Sequence, residues 1–399
     1  MSLQSTKENN LKSFADRSVA IDYLRSFTTI LVLLLHAILA YPTWGKFNQE
    51  NYVRNSTAPI IDPMKWEGFD FPPTLLNLYF MALMFFISGL FVWNSLKKKG
   101  VLLFLKDRFL RLGIPFVISL VVIMPIAYYP SFLMTGEKRD FYSYWMGWSW
   151  NSGPAWFILL LIIYNMITAL IFLIPKSGIF NIKFSTMFFT KPLVFFGLLL
   201  IFSTIAFLPM LYFYGPFEWL IFGPLIVGQT SRIFHYLVYF LAGVLVGSIG
   251  IKNCFLSENG SFCNYWVGWV ILCFFSTLLF LLSFNFMHIN LAEDWYPPKK
   301  GWFFLGVSME IYCAVFLMAF FAIFLRFFNA KNVVFDNLNG NAYGIYLVHY
   351  PFVIWSQYLL VDFHIPAILK ALMVFVFSLG FSWGASTLLR SVPMVRKIL

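Results

Sequence analysis

Apolar residues gather along this chain into runs too long for the strands or amphipathic helices of a soluble domain. A window of about 19 residues picks out ten of them, roughly at 21–41, 75–95, 112–130, 155–174, 192–211, 231–250, 265–287, 303–327, 341–361 and 367–390. A helix needs about 20 apolar residues to cross the hydrocarbon of a bilayer. Backbone in lipid must also satisfy its own hydrogen bonds, which a helix does internally. Trp and Tyr cluster at many segment ends, as side chains with an apolar body and a polar tip do at a membrane surface. A further stretch, PFEWLIFGPLIVGQT at 216–230, is shorter and broken by Gly223-Pro224. It reads as re-entrant or interfacial. The predicted fold class is all-α, a polytopic membrane protein with about ten transmembrane helices.

Composition narrows this further. Of 399 residues, 60% are hydrophobic and only 11% charged, against about 25% charged in soluble domains. No hydrophilic block remains for a separate soluble domain. The expected organisation is a cytoplasmic segment at 1–20, one membrane domain at 21–390 and a cytoplasmic tail at 391–399. The net charge of +11 reflects orientation rather than nucleic-acid binding. With the N-terminus inside, 18 Lys and Arg fall in inner loops, 7 in outer loops and 3 within or beside segments. Basic residues concentrate on the cytoplasmic side, so both termini are expected there. Arg25 inside the first segment, with no convincing cleavage site after it, marks an uncleaved helix rather than a signal peptide. The four cysteines show neither a zinc spacing nor a disulfide framework, and no metal site is expected.

The polar residues inside the apolar runs carry the chemistry. Segment one, IDYLRSFTTILVLLLHAILA, holds Arg25 and His36 eleven residues apart. That is three helical turns plus about 20°, so both share one face about 16 Å apart. Asp22 precedes Arg25 by three residues and can pair with it. Arg25 then lies near the cytoplasm and His36 deep. Ionisable residues in membrane helices are costly and mark functional sites. Segment eight contains Glu310, which runs inward to about the depth of His36. A carboxylate there would orient the imidazole as a general base, so a Glu310–His36 contact is expected. His349, in NAYGIYLVHYPFV, and Ser88, in FFISGLF, are placed shallower, as walls of a channel. Lys370 opens segment ten from outside and is expected to snorkel to the surface.

Two loops add binding chemistry. KKKGVLLFLKDRFLRLGIP carries Arg108 and Arg111 on one helix face before Pro115. Arginine grips phosphate bidentately, so the loop fits a phosphorylated cytosolic ligand, and equally a topology signal in contact with anionic lipid. On the outer side, Trp156, Gln229 and Arg232 stand at a membrane mouth and suit a polar acceptor such as a sugar. The residues alone leave two classes open, a transferase and a proton-coupled transporter or flippase. In the second, Arg25, His36, Glu310 and His349 would form a relay. No internal repeat of the kind many transporters carry is visible.

Taken in order, the motifs resemble the membrane-bound acyltransferase-3 family. Arg25 and His36 match its R-x10-H signature, FFISGLF its F-x-x-S-G and KDRFLRLGIP its R-x-x-R before a proline. GPAWFILLL is similar to its W-F-x-x-x-L, and AYGIYLVHYP to its Y-x-I-Y-L-x-H. The stretch FGPLIVGQTSRIFHYLVYFLAG looks like the glucans biosynthesis protein C branch. Pro154 and Ala155 stand before Trp156 where members often have His. The resemblance spans 17–390. It implies O-acylation, with an acyl group such as acetyl or succinyl moving from cytoplasmic acyl-CoA to a hydroxyl of an envelope carbohydrate at the inner membrane. It implies His36 as base, or as transient acyl carrier, and Arg25, Arg108 and Arg111 on the CoA phosphates.

Overall fold

The computed structural model describes residues 18–174, 189–222, 225–258, 260–289, 299–396 and 398. Most of the expected 1–20 segment, and the basic residues Lys176 and Lys183, lie outside them. Among the described residues, ten long helices correspond one for one to the ten predicted segments. They are α1 (Val19–Ile38), α2 (Pro72–Gly89), α3 (Val101–Leu133), α4 (Trp156–Leu173), α5 (Pro192–Tyr214), α6 (Ile233–Ile249), α7 (Trp266–Ile289), α8 (Lys299–Phe327), α9 (Val333–Leu360) and α10 (Ala367–Ser391). Nine spans among the described residues are apolar enough to cross a membrane by composition. The tenth helix, α9, is long enough, but four tyrosines, His349 and Gln357 dilute its apolar character. It is also among the more deeply enclosed helices, and it packs against α1, α3 and α10.

Burial sorts the helices. The most apolar windows of α1, α2 and α8 are 72% buried, whereas those of α5 and α7 are 22% and 17% buried. The first group forms the centre. The second group turns Phe202, Phe274, Phe275 and Leu282 outward, as residues facing lipid do. Glycines bring α2 and α6 into backbone contact. A Cβ on Gly243 would fall on the carbonyl oxygen of Phe86, one on Gly247 on that of Leu90, and one on Gly89 on that of Phe240. Small residues at helix interfaces allow this approach where no hydrophobic effect drives association.

The two ends of the described chain share one side. Ser18 donates to Glu258 (2.7 Å) and Tyr23 to Asp336 (2.7 Å). The last turns of α10 meet the first turns of α9 through Trp383 to Asn337 (2.8 Å) and Ser386 to Asn341 (3.0 Å). This is the side of the basic loops.

Helix α3 alternates α-helix with two π-helical stretches, Phe109–Gly113 and Ser119–Ile123. Its prolines explain where the ladder fails. A proline has no N–H for the carbonyl four residues earlier. Pro115, Pro125 and Pro130 therefore free the carbonyls of Arg111, Val121 and Ile126. Each is taken by an aromatic donor from elsewhere: Tyr343 Oη on Arg111 (2.6 Å), Trp145 Nε1 on Val121 (2.9 Å) and Trp355 Nε1 on Ile126 (3.0 Å).

One expectation gains a structure and another needs correction. The stretch 216–230, expected to be re-entrant or interfacial, is built of strands. It forms an antiparallel hairpin, Trp219–Phe222 with Leu225–Gln229, whose first strand is exposed along its length. Gly223-Pro224, between the two strands in sequence, lies outside the described residues. Lys370, where the correction falls, does not snorkel. It is fully buried, and its Nζ donates to both oxygens of Asp62 (2.9 and 2.7 Å) and to the carbonyl of Val361 (3.2 Å). Asp62 sits in the outer loop between α1 and α2, a partner 308 residues away that no local pattern announces.

Candidate active site

A cavity of about 830 Å³ opens between α1, α2, α8, the outer loops and the hairpin. His36 lines it, together with Trp156, Gln229 and Arg232. These four come from α1, α4, the hairpin and the turn before α6. Trp156 is held in the wall by two aromatic neighbours. It stacks on Tyr236 (centroids 5.9 Å) and meets Trp219 nearly at a right angle (6.1 Å). Gly228, at φ +145°, lies against its ring, where a Cβ would approach Cε3 to 3.1 Å. Arg232 is 3% exposed. It donates to the carbonyl of Asn77 (3.0 Å). Gln229 is buried, and its Oε1 has no hydrogen-bond partner.

His36 is half-buried, with its ring 5.5 Å from that of His349 and 5.0 Å from Tyr350. His349 therefore lies level with His36 rather than nearer the cytoplasm. The physical reason is the helix start. Asn332 caps α9 through the N–H groups of Val334 and Phe335, well ahead of the apolar run. Counted from Val333, His349 stands about 24 Å along its helix, and His36 about 26 Å along α1 from Val19. His349 Nδ1 is 2.6 Å from the carbonyl of Tyr346. A carbonyl only accepts, so Nδ1 carries the proton and Nε2 presents a lone pair. That Nε2 is buried and unpartnered.

Glu310 does not meet His36. Its depth, about 26 Å from the end of α8 at Phe327, is as expected, but it faces α6. Its Oε1 lies 2.7 Å from Nδ1 of His235. Nε2 of that histidine is 3.7 Å from Sγ of Cys313, and all three residues are buried. Helical rise fixes depth and leaves direction to packing, so matched depth does not imply contact. His235 carries a sequence signal of its own: it is one of five histidines in the chain and lies in an apolar run three residues after Arg232.

The residues expected on the cytoplasmic side gather around the start of α9. Arg25 donates to Asn339 (2.8 Å) and lies 3.7 Å from Asp22. One turn further along α9, Tyr343 holds the backbone of Arg111. Arg108 lies over the ring of Phe104 (5.0 Å), and the Arg111 side chain is exposed. None of the three arginines lines the cavity. Ser88 does not line it either; it is half-buried beside the glycine contact of α2 with α6.

A family model described as an acyltransferase domain matches residues 18–387. Comparison with curated proteins and with solved structures returned no match. The matched span takes in both histidines of the adjacent pair and nearly all of the ten helices. This membrane-embedded chain belongs to the acyltransferase-3 family and is an acyltransferase enzyme.

Proposed function

We propose that the protein moves an acyl group, acetyl or succinyl in the first instance, from cytoplasmic acyl-CoA to a hydroxyl of an envelope glycan. The location we assign is the inner membrane. The observation that carries this reading is the shared cavity. His36 stands on the same wall system as Trp156, Gln229 and Arg232, while Arg25 and Arg111 lie at the opposite end of α1 and α9. Donor and acceptor would then approach one histidine from two sides.

In this reading His36 takes the proton of the acceptor hydroxyl as its oxygen attacks the thioester carbonyl. The new C–O bond forms, the C–S bond breaks, and the proton passes to the departing thiolate. His349 helps hold the intermediate charge. Its Nδ1–H is committed to Tyr346, so its free Nε2 is an acceptor beside a protonated His36. Arg25, Arg108 and Arg111 hold the phosphates of the donor, for which the planar guanidinium is suited. The family assignment removes the transporter alternative as the primary activity.

The test uses purified protein in nanodiscs, labelled acyl-CoAs and an envelope glycan fraction. Label should move to the glycan, and His36→Ala should lower the rate by about 10²–10⁴-fold, the usual cost of losing a positioned base. Near wild-type transfer by a folded His36→Ala protein would reject the assignment.

A further inference from the structure

The charge inside the cavity narrows the chemistry of the acceptor, provided that the cavity is the acceptor site. Among its described lining residues are three cations, Lys46, Arg54 and Arg232, and one acid, Asp70. Asp70 is already engaged. One oxygen accepts from the backbone N–H of Thr43 and the other from its hydroxyl, each at 2.7 Å. Arg232 is the decisive group. It is almost fully buried, yet among the described residues no carboxylate lies within ion-pair distance of its guanidinium. The buried acid Glu310 is turned to His235.

A guanidinium has five N–H donors. A buried charge is costly unless it is paired, and the partner among the described residues is a neutral carbonyl. Beside it, the orphaned Oε1 of Gln229 lacks a donor. One side chain in the wall thus lacks an anion, and its neighbour lacks an O–H or N–H. A sugar that bears both an acidic group and free hydroxyls satisfies the two together. We infer that the acceptor is an acidic glycan, carrying a carboxylate or a phosphate ester, which docks its anion on Arg232 and a hydroxyl on Gln229.

Binding calorimetry on the full chain in nanodiscs tests this without acyl donor. Three matched tetrasaccharide probes would be used: one of glucuronic acid, its carboxyl-reduced neutral counterpart, and the neutral one phosphorylated at a primary hydroxyl. At least one acidic probe should bind about 10- to 100-fold more tightly than the neutral one, the scale of a charge-assisted contact. Which of the two does so identifies the acid. Arg232→Gln should erase that preference. Equal binding of all three probes to the wild-type protein overturns the inference, whether or not the variant folds. So does a preference that survives intact in a folded Arg232→Gln protein. Because no transfer is measured, the two readings fail separately. Acid preference without acyl transfer counts against the proposed reaction, and transfer without acid preference counts against the acidic acceptor.

Discussion

Asp62→Asn should destabilise the protein out of proportion to the size of the change. The wild-type carboxylate receives two contacts from Lys370, at 2.9 and 2.7 Å, and neither residue is more than 1% exposed. Removing one partner of a buried pair typically costs about 3–5 kcal/mol, because the remaining charge stays desolvated. Asparagine keeps one acceptor oxygen, and Lys370 keeps the Val361 carbonyl at 3.2 Å. The lower end of that range, about 3 kcal/mol, is therefore expected. Unfolding by SDS in mixed micelles, or the half-life at fixed temperature where unfolding is irreversible, would report it. The pair also anchors the outer loop. The backbone N–H of Asp62 donates to Ala40, its side chain accepts from Met64, and the same loop brings Trp44, Lys46 and Arg54 to the cavity. The variant should therefore raise acceptor KM more than donor KM. Replacing both partners, Asp62→Leu with Lys370→Met, should recover most of the stability, since no charge is left unpaired. A single variant within about 0.5 kcal/mol of wild type, or a double variant as weak as the single, would refute the reasoning.

Three further outcomes are expected. Gly243→Ala places a methyl group on the Phe86 carbonyl and should cost about 3 kcal/mol or more, seen as lost folded yield; Gly268→Ala, with open space around it, should be silent in the same assay. Glu310→Gln should lower stability through the buried His235 contact while reducing kcat less than about tenfold, in contrast with His36→Ala; turnover data on both variants separate these effects. Arg111→Glu should raise the apparent donor KM by about 10-fold or more and leave acceptor KM unchanged. Steady-state kinetics with each substrate varied in turn would show it, and equal effects on both would reduce the loop to a topology signal.

Much of the scaffold was legible because membrane helices announce themselves by length and polarity. Depth was nearly as legible, since rise per residue is constant: Glu310 and His36 do stand at matched levels. Direction was not. Which way Glu310 points depends on how α8 rotates against α6, and α6 is set by Gly243 and Gly247 closing on α2. Apolar periodicity also hid the true start of α9. Asn332 and Asp336 are polar, so the hydropathy pattern dropped the first turns and placed His349 too low. Long-range polar pairs, Lys370 with Asp62 and Arg25 with Asn339, leave no local trace at all. The hairpin escaped because strands of Trp, Leu, Ile and Phe read like any short interfacial run when only length and composition are weighed.

The capped carbonyls of α3 have an evolutionary consequence. Each proline and its aromatic donor make a two-part unit drawn from separate stretches of the chain: Pro115 with Tyr343, Pro125 with Trp145, Pro130 with Trp355. If a lineage replaces the proline, the new N–H can close the ladder itself, and the indole or phenol loses its acceptor. If it replaces the aromatic donor first, a carbonyl is orphaned, at about 1–3 kcal/mol where it is shielded from water. Selection should therefore see the two positions as one character. Across related sequences the proline and its donor should appear and disappear together, so that two covarying pairs would report the attachment of α3 to α9 and the third its attachment to the loop that follows it, without any structure at all.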